Sequence, residues 1–161
     1  VTWSAPTQDI PERNCVKIVK VNDRLSVATG QPRLDQFADI AKLGFKSVIN
    51  NRPDGEEAMQ PDSASEDEAA RALGMAYRQI PIHSGAIGMA EIEAQQKAVR
   101  ELEGPVLAHC RSGTRSLNVW AIGEILNGRM RTGDLMPLAQ QLGIDLGGAA
   151  MWVARNAPDK A

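Results

Sequence analysis

The sequence predicts a single α/β domain over residues 1–161, with a central, mostly parallel sheet flanked by helices. Two observations lead there. Stretches with period-2 alternation or wholly apolar character, the marks of strands, take turns along the chain with apolar stripes at helical spacing. One short apolar run, Val106 to Ala108, is of the kind buried on both faces of a parallel sheet, and it runs into a Gly-containing turn that opens a helix.

Each element follows from its own pattern. Val16 to Val21 alternates apolar and polar residues and reads as a half-buried strand. A turn at Asn22 and Asp23 leads to a second strand, Arg24 to Ala28, which Thr29-Gly30-Gln31-Pro32 ends. Pro32 is placed to open a helix, whose apolar stripe runs through Leu34, Phe37, Ile40, Ala41 and Leu43 before Gly44 closes it. Lys46 to Asn50 is a third strand and the polar stretch Asn51 to Asp62 a loop. Ser63 or Ser65 is expected to cap the next helix, which ends at Gly74. Met75 to Ile82 reads as a fourth strand, His83 to Gly88 as a loop, and Met89 to Glu103 as a helix stopped by Gly104-Pro105. After the Val106 strand, Leu117, Trp120, Ala121, Ile125 and Leu126 form another helical face ending near Gly128. One or two further helices fill Asp134 to Arg155, and there is no internal repeat.

Composition narrows the function classes. With 43% hydrophobic and 24% charged residues, the chain has the make-up of a soluble globular protein. Its 18 basic and 20 acidic residues give a net charge of −2, which argues against a broad nucleic-acid surface but leaves room for one local positive pocket. No apolar run approaches the roughly 20 residues that span a bilayer, so no membrane partner is expected. The chain begins at Val1, so a removed leader or fused domain is one expectation, with a cytoplasmic or periplasmic setting both open. Its two cysteines, Cys15 and Cys110, and two histidines, His83 and His109, are too few for a disulfide scaffold or a clustered zinc site. His109 and Cys110 are strand neighbours that face opposite ways, which makes them a poor chelating pair. No metal is expected, and Cys15 reads as a small packed or strand-start residue.

The chemistry concentrates in Leu107-Ala108-His109-Cys110-Arg111-Ser112-Gly113-Thr114-Arg115-Ser116. A buried strand delivers Cys110, the chain turns at Gly113, and a helix departs near Thr114. In such a turn successive backbone N–H groups converge, and the helix N-terminus adds partial positive charge. Arg115 brings a planar fork of donors matched to phosphate or sulfonate oxygens. That field also favours a thiolate, moving a free-Cys pKa of ~8.5 into the range ~3.5–7.5. The loop therefore combines a sulfur nucleophile, Cys110, with an oxyanion cradle made of Arg111, Ser112, Gly113, Thr114, Arg115 and Ser116. An inert core cysteine in a basic turn is the bland alternative. The strand-to-helix junction, where ligands bind in open α/β sheets, favours the functional reading.

His-Cys-x-x-Gly followed by Arg-Ser resembles the signature loop of the cysteine-dependent protein tyrosine and dual-specificity phosphatases. The wider chain is similar to one branch, the phosphatase-like domain of beta-lactamase-hydrolase-like bacterial proteins. The matching stretches are Leu25 to Pro32, Gly44 to Glu56, Tyr77 to Pro81 and Gly104 to Ser116. The resemblance implies a dual-specificity-phosphatase-like domain with Cys110 as nucleophile and Arg115 binding the oxyanion. It would hydrolyse phosphate monoesters through a phosphocysteine, with no cofactor, on a small anionic or phosphorylated substrate. Two departures keep a sulfurtransferase in view as the runner-up. Four residues separate Cys110 from Arg115, one fewer than those phosphatases normally place there, and the shorter loop is similar to that of single-domain rhodaneses. The phosphatases also carry a proton-donating Asp after the strand corresponding to Tyr77–Ile82, whereas Ile82-His83-Ser84 has no carboxylate until Glu91. Thiosulfate cleavage would feel that loss less, because sulfite leaves unprotonated. A catalytically inactive anion- or phosphopeptide-binding module is a third reading, against which the intact Cys110 and Arg115 speak.

Four further positions have two readings each. His83 is a candidate proton donor, since His titrates near neutrality, or a loop residue making one hydrogen bond. Asp54 is a second candidate, in a loop at the carboxyl end of a strand, or simply the Asp of a Pro-Asp-Gly turn. Arg52 either helps hold an anion or is a solvated surface arginine. Trp120 falls on the helix stripe and reads as core rather than substrate platform. Glu66-Asp67-Glu68 occupies a first helical turn, where acids suit the macrodipole, so no function is required of it.

Overall fold

Residues 7–9 and 16–161 are described by the computed structural model. The strands are β1 (Thr7–Asp9), β2 (Lys17–Lys20), β3 (Leu25–Ala28), β4 (Ser47–Asn50), β5 (Ala76–Gln79) and β6 (Val106–His109). They form one sheet in the order β1-β2-β3-β6-β4-β5. β6 lies in the middle and runs parallel to β3 and β4, β4 runs parallel to β5, and β1 and β2 add an antiparallel edge. The edge strand β1 precedes the first strand read from the sequence. Cys15 lies outside the described residues.

The helices are α1 (Phe37–Lys42), α2 (Ser63–Ala72), α3 (Met89–Glu101), α4 (Thr114–Leu126), α5 (Leu135–Leu142) and α6 (Gly147–Asn156). The expected α/β architecture is present, with shifts at element ends that have local causes. Pro32 does not open α1: Arg33 caps a single 3-10 turn, Leu34–Gln36, that leads into it. Neither Ser63 nor Ser65 caps α2. That role falls to Asp62, whose Oδ1 accepts the Ser65 N–H at 2.8 Å. β5 stops at Gln79, short of Ile82, because Pro81 has no N–H to continue a ladder.

Strand alternation splits the core in two. On β6, Val106 and Ala108 pack with α3, α4 and α6, while Leu107 packs with α1 and α2. On β4, Ile49 joins the first core and Val48 the second. α4 is buried along most of its length, Trp120 included, as a central helix must be. His109 continues the alternation toward the side of Leu107, where α2 lies, and Cys110 begins the turn into α4.

That turn depends on Gly113. Its φ is +89°, in the left-handed region, and a Cβ there would stand 2.9 Å from the Ala28 carbonyl oxygen on β3. Gly113→Ala is therefore expected to cost about 2 kcal/mol. For a chain of this size that lowers the melting temperature by roughly 4–8 °C. A melting curve identical to that of the parent would show that the turn tolerates a side chain.

Candidate active site

Cys110 is 1% exposed, at the floor of the loop between β6 and α4. Its Sγ accepts the N–H of Gly113 at 3.1 Å. The positive Gly113 φ turns that N–H back over the sulfur, and α4 starts at the next residue, so the helix N-terminus faces the same point. Ser116 Oγ is buried without a hydrogen-bond partner among the described residues, a hydroxyl left over in the first turn of α4. Ser112 and Thr114 are exposed at the rim, their hydroxyls 3.2 Å apart.

Arg115 turns its guanidinium toward a carboxylate from another loop. Nη1 donates to Glu56 Oε2 at 2.7 Å and to the Ile82 carbonyl at 2.8 Å, and Nη2 donates to Glu56 Oε1 at 2.9 Å. Glu56 also takes the Nε–H of Arg52 at 2.9 Å. Glu57 pairs with Arg111 at 3.2 Å and lies 3.4 Å from Arg52 Nη2, an ion pair without hydrogen-bond geometry. Arg52, Arg111, Arg115, Glu56, Glu57 and Ser84 line one cavity of about 300 Å³. Bonding from Arg115, and then from Arg52, holds the Glu56 carboxyl down to about 2 despite some loss of hydration. Arg115 is raised in turn, first by Glu56 and then by the neighbouring Cys110 sulfur. Glu56 is thus a carboxylate at neutral pH and supplies no proton.

Beneath Cys110 lies a fully buried pair. His109 Nε2 is 2.7 Å from Glu66 Oε1, both side chains are 0% exposed, and His109 Nδ1 is 3.3 Å from the Cys110 carbonyl. Both ring nitrogens thus meet oxygen atoms, one on α2 and one on the backbone of the Cys110 turn. Glu66 also accepts from Tyr77 Oη at 3.2 Å and from Gln31 Nε2 at 3.0 Å. Burial, and then the Glu66 charge, push the Tyr77 phenol up and keep it a donor. Gln31 Oε1 accepts from Arg52 Nη1 at 3.1 Å. An unbroken path therefore runs from Glu66 through Gln31, Arg52 and Glu56 to Arg115.

The structure places Cys110, Arg111, Ser112 and Gly113 in the turn after β6 and Thr114, Arg115 and Ser116 in the first turn of α4. Asp54 is elsewhere: its Oδ1 accepts the Ser63 N–H at 2.8 Å at the start of α2. His83 has an exposed side chain and does not line the cavity, although its neighbours Ile82 and Ser84 touch the site. Arg52, only 2% exposed, is no surface arginine. Glu56 and Glu66 were missed by reading the sequence. Glu66 had no distinguishing signal, because its partners are all remote in sequence. Glu56 falls at the end of the Gly44 to Glu56 stretch that carried the resemblance, which was a usable hint.

Both carboxylates are testable. The folded-state carboxyl of Glu56 lies at about 2, below its ordinary 4.5. Its stabilisation is therefore present above that ordinary value and lost as pH falls toward about 2. Glu56→Gln should flatten this acid limb in denaturation midpoints measured against pH, and an unchanged limb would count against the pairing. Glu66→Gln puts an amide donor among donors and should cost roughly 1–3 kcal/mol in chemical denaturation. It should also slow iodoacetamide labelling of Cys110 at pH 6.

Residues 17–127 match the family described as beta-lactamase hydrolase-like protein, phosphatase-like domain. The beta-lactamase hydrolase-like protein of Xylella fastidiosa strain Temecula1 is 44% identical over 142 residues, which are 88% of this chain and 33% of that protein. Its namesake in Agrobacterium fabrum is 44% identical over 141 residues, 88% of this chain and 32% of that protein. The chain thus spans about a third of the length of these curated relatives. Among solved structures, a candidate phosphatase of Neisseria meningitidis superposes with a TM-score of 0.75 at 29% identity, covering 84% of this chain and 95% of that one. TpbA of P. aeruginosa, solved in complex with pTyr, shares the fold with a TM-score of 0.55 at 19% identity, over 86% of this chain and 91% of that one. With a family match across most of its length, and a fold shared with these structures, the chain belongs to the phosphatase-like domain family of beta-lactamase hydrolase-like proteins.

Proposed function

We propose that this phosphatase-family domain hydrolyses phosphate monoesters through a phosphocysteine on Cys110. The observation that carries the reading is the Gly113 N–H bonded to Cys110 Sγ at 3.1 Å at the start of α4, with Arg115 in the first turn of that helix. The thiolate attacks phosphorus as the bond to the leaving oxygen breaks, and the loop N–H groups and the Nε edge of Arg115 take the developing charge. Water then attacks the phosphocysteine, the P–S bond breaks, and inorganic phosphate leaves with the thiolate restored. Glu56 holds the other edge of Arg115, so the fork is oriented before substrate arrives.

The segment 81–88 carries no carboxyl side chain. Leaving groups that depart as anions should therefore react fastest, and nitrophenyl phosphate should exceed phosphoserine by about 10²–10⁴ in rate. His83 is the remaining candidate donor on that segment, in which case His83→Gln should slow phosphoserine and spare nitrophenyl phosphate. Cys110→Ser should abolish turnover. Arg115→Lys keeps the charge but loses the fork, and should cost on the order of 10²–10³.

The same missing carboxyl and the four-residue Cys110–Arg115 spacing favour a second reading, sulfur transfer through a Cys110 persulfide. Mass spectrometry separates the two. After acid quench with nitrophenyl phosphate, Cys110 should carry a phosphoryl group. One added sulfur from thiosulfate, with cyanide-dependent turnover faster than phosphate release, would replace the hydrolase reading with the second.

A further inference from the structure

A second cavity adjoins the site from the other side of Arg115. It holds about 600 Å³, within the range of small-molecule sites, and lies between the 85–87 segment and α6. Thr114 and Arg115 form its catalytic end, and Ile87, Met151 and Trp152 supply an apolar wall. Met151 is 55% exposed there, a large apolar side chain whose sulfur suits the edge of an aromatic ring. The walls are fastened together. Trp152 Nε1 donates to the Ile87 carbonyl at 2.8 Å, and Asn118 bridges the Thr114 and Asp145 carbonyls at 2.8 and 2.9 Å.

The charges in this cleft are unequally committed. Arg115 is paired with Glu56, and Asp145 Oδ1 already accepts the Gly147 N–H at 2.7 Å. Arg155 is exposed and has neither a side-chain hydrogen bond nor an ion pair among the described residues. A partly apolar cleft thus begins at Thr114 and Arg115, beside the Cys110 turn, and includes an uncommitted guanidinium.

We propose that this cleft is the leaving-group subsite and that Arg155 selects substrates whose aromatic leaving group bears a second anionic group, such as a carboxylate. The proposal rests on the phosphate-ester reading above. It matches the leaving-group chemistry, since an aryloxide departs without the proton that segment 81–88 has no carboxyl group to give. Arg155 forks onto a carboxylate, and the flat ring stacks along Trp152 and Met151.

The test compares 7-hydroxycoumarin phosphate with its 3-carboxylate analogue. The parent should prefer the carboxylated ester in kcat/KM. Arg155→Ala should lower that preference about tenfold, as for one charge-assisted hydrogen bond. Met151→Asp should reduce kcat/KM for both coumarin esters relative to nitrophenyl phosphate. Equilibrium binding of both coumarin esters to the Cys110→Ser variant, with and without Arg155→Ala, gives a second readout. Turnover with no change in preference on replacing Arg155 overturns the subsite and leaves the hydrolase reading standing. No turnover, with carboxylate-selective binding still lost in Arg155→Ala, upholds the subsite and overturns the reaction. Loss of neither preference nor selective binding overturns the assignment of Arg155.

Discussion

A carboxylate removed from water keeps its charge only if donors replace the lost hydration, and Glu66 is such a carboxylate. It is fully buried between α2 and the sheet and meets His109, Tyr77 and Gln31. Each partner comes from a different element, so the site geometry depends on the sheet and α2 packing in one register. One arm leads through His109 to the Cys110 carbonyl. The other leads through Gln31, Arg52 and Glu56 to Arg115. The Cys110 backbone and the Arg115 guanidinium are thereby braced from the same buried side chain. Removing one member leaves the others desolvated and unpaired, which is why such networks act as units.

The braces act on a loop whose own geometry is set locally. β6 is the central strand, paired on both sides, and it delivers Cys110 to the carboxyl end of the parallel strands. Gly113 then allows a left-handed turn against the β3 backbone that no side chain fits. The result is a buried sulfur facing a backbone N–H and a helix N-terminus.

Arg115 divides the space around this loop. On one side is a charged cavity in which two glutamates balance three arginines, and on the other is the larger, partly apolar cleft against α6. Segment 81–88 separates the two, touching the first through Ser84 and the second through Ile87. That segment carries no carboxyl group, so the proposed reaction would depend on how little protonation its leaving group needs.

Reading residues alone reached the α/β class, the order of the elements after the edge strand β1 and the turn from Cys110 into α4, because each is encoded locally. Periodicity separates strand from helix, a glycine marks the turn, and Cys110 and Arg115 lie within one short segment. Even the opposed directions of His109 and Cys110 follow from strand alternation. What lay beyond the sequence was every pairing across elements. Glu66 looked like a first-turn acid serving a helix dipole, and only the seating of α2 on the sheet brings it to His109, 43 positions away. Arg52 read equally well as solvated until packing buried it, and Asp54, readable as a turn Asp or a site residue, has its carboxylate at the start of α2. Glu56 reaches Arg115 across 59 positions for the same reason. Local patterns determine the backbone and the position of the candidate nucleophile, but which charge meets which is decided by the arrangement of elements in space, where the cost of an unpaired buried group selects the partners.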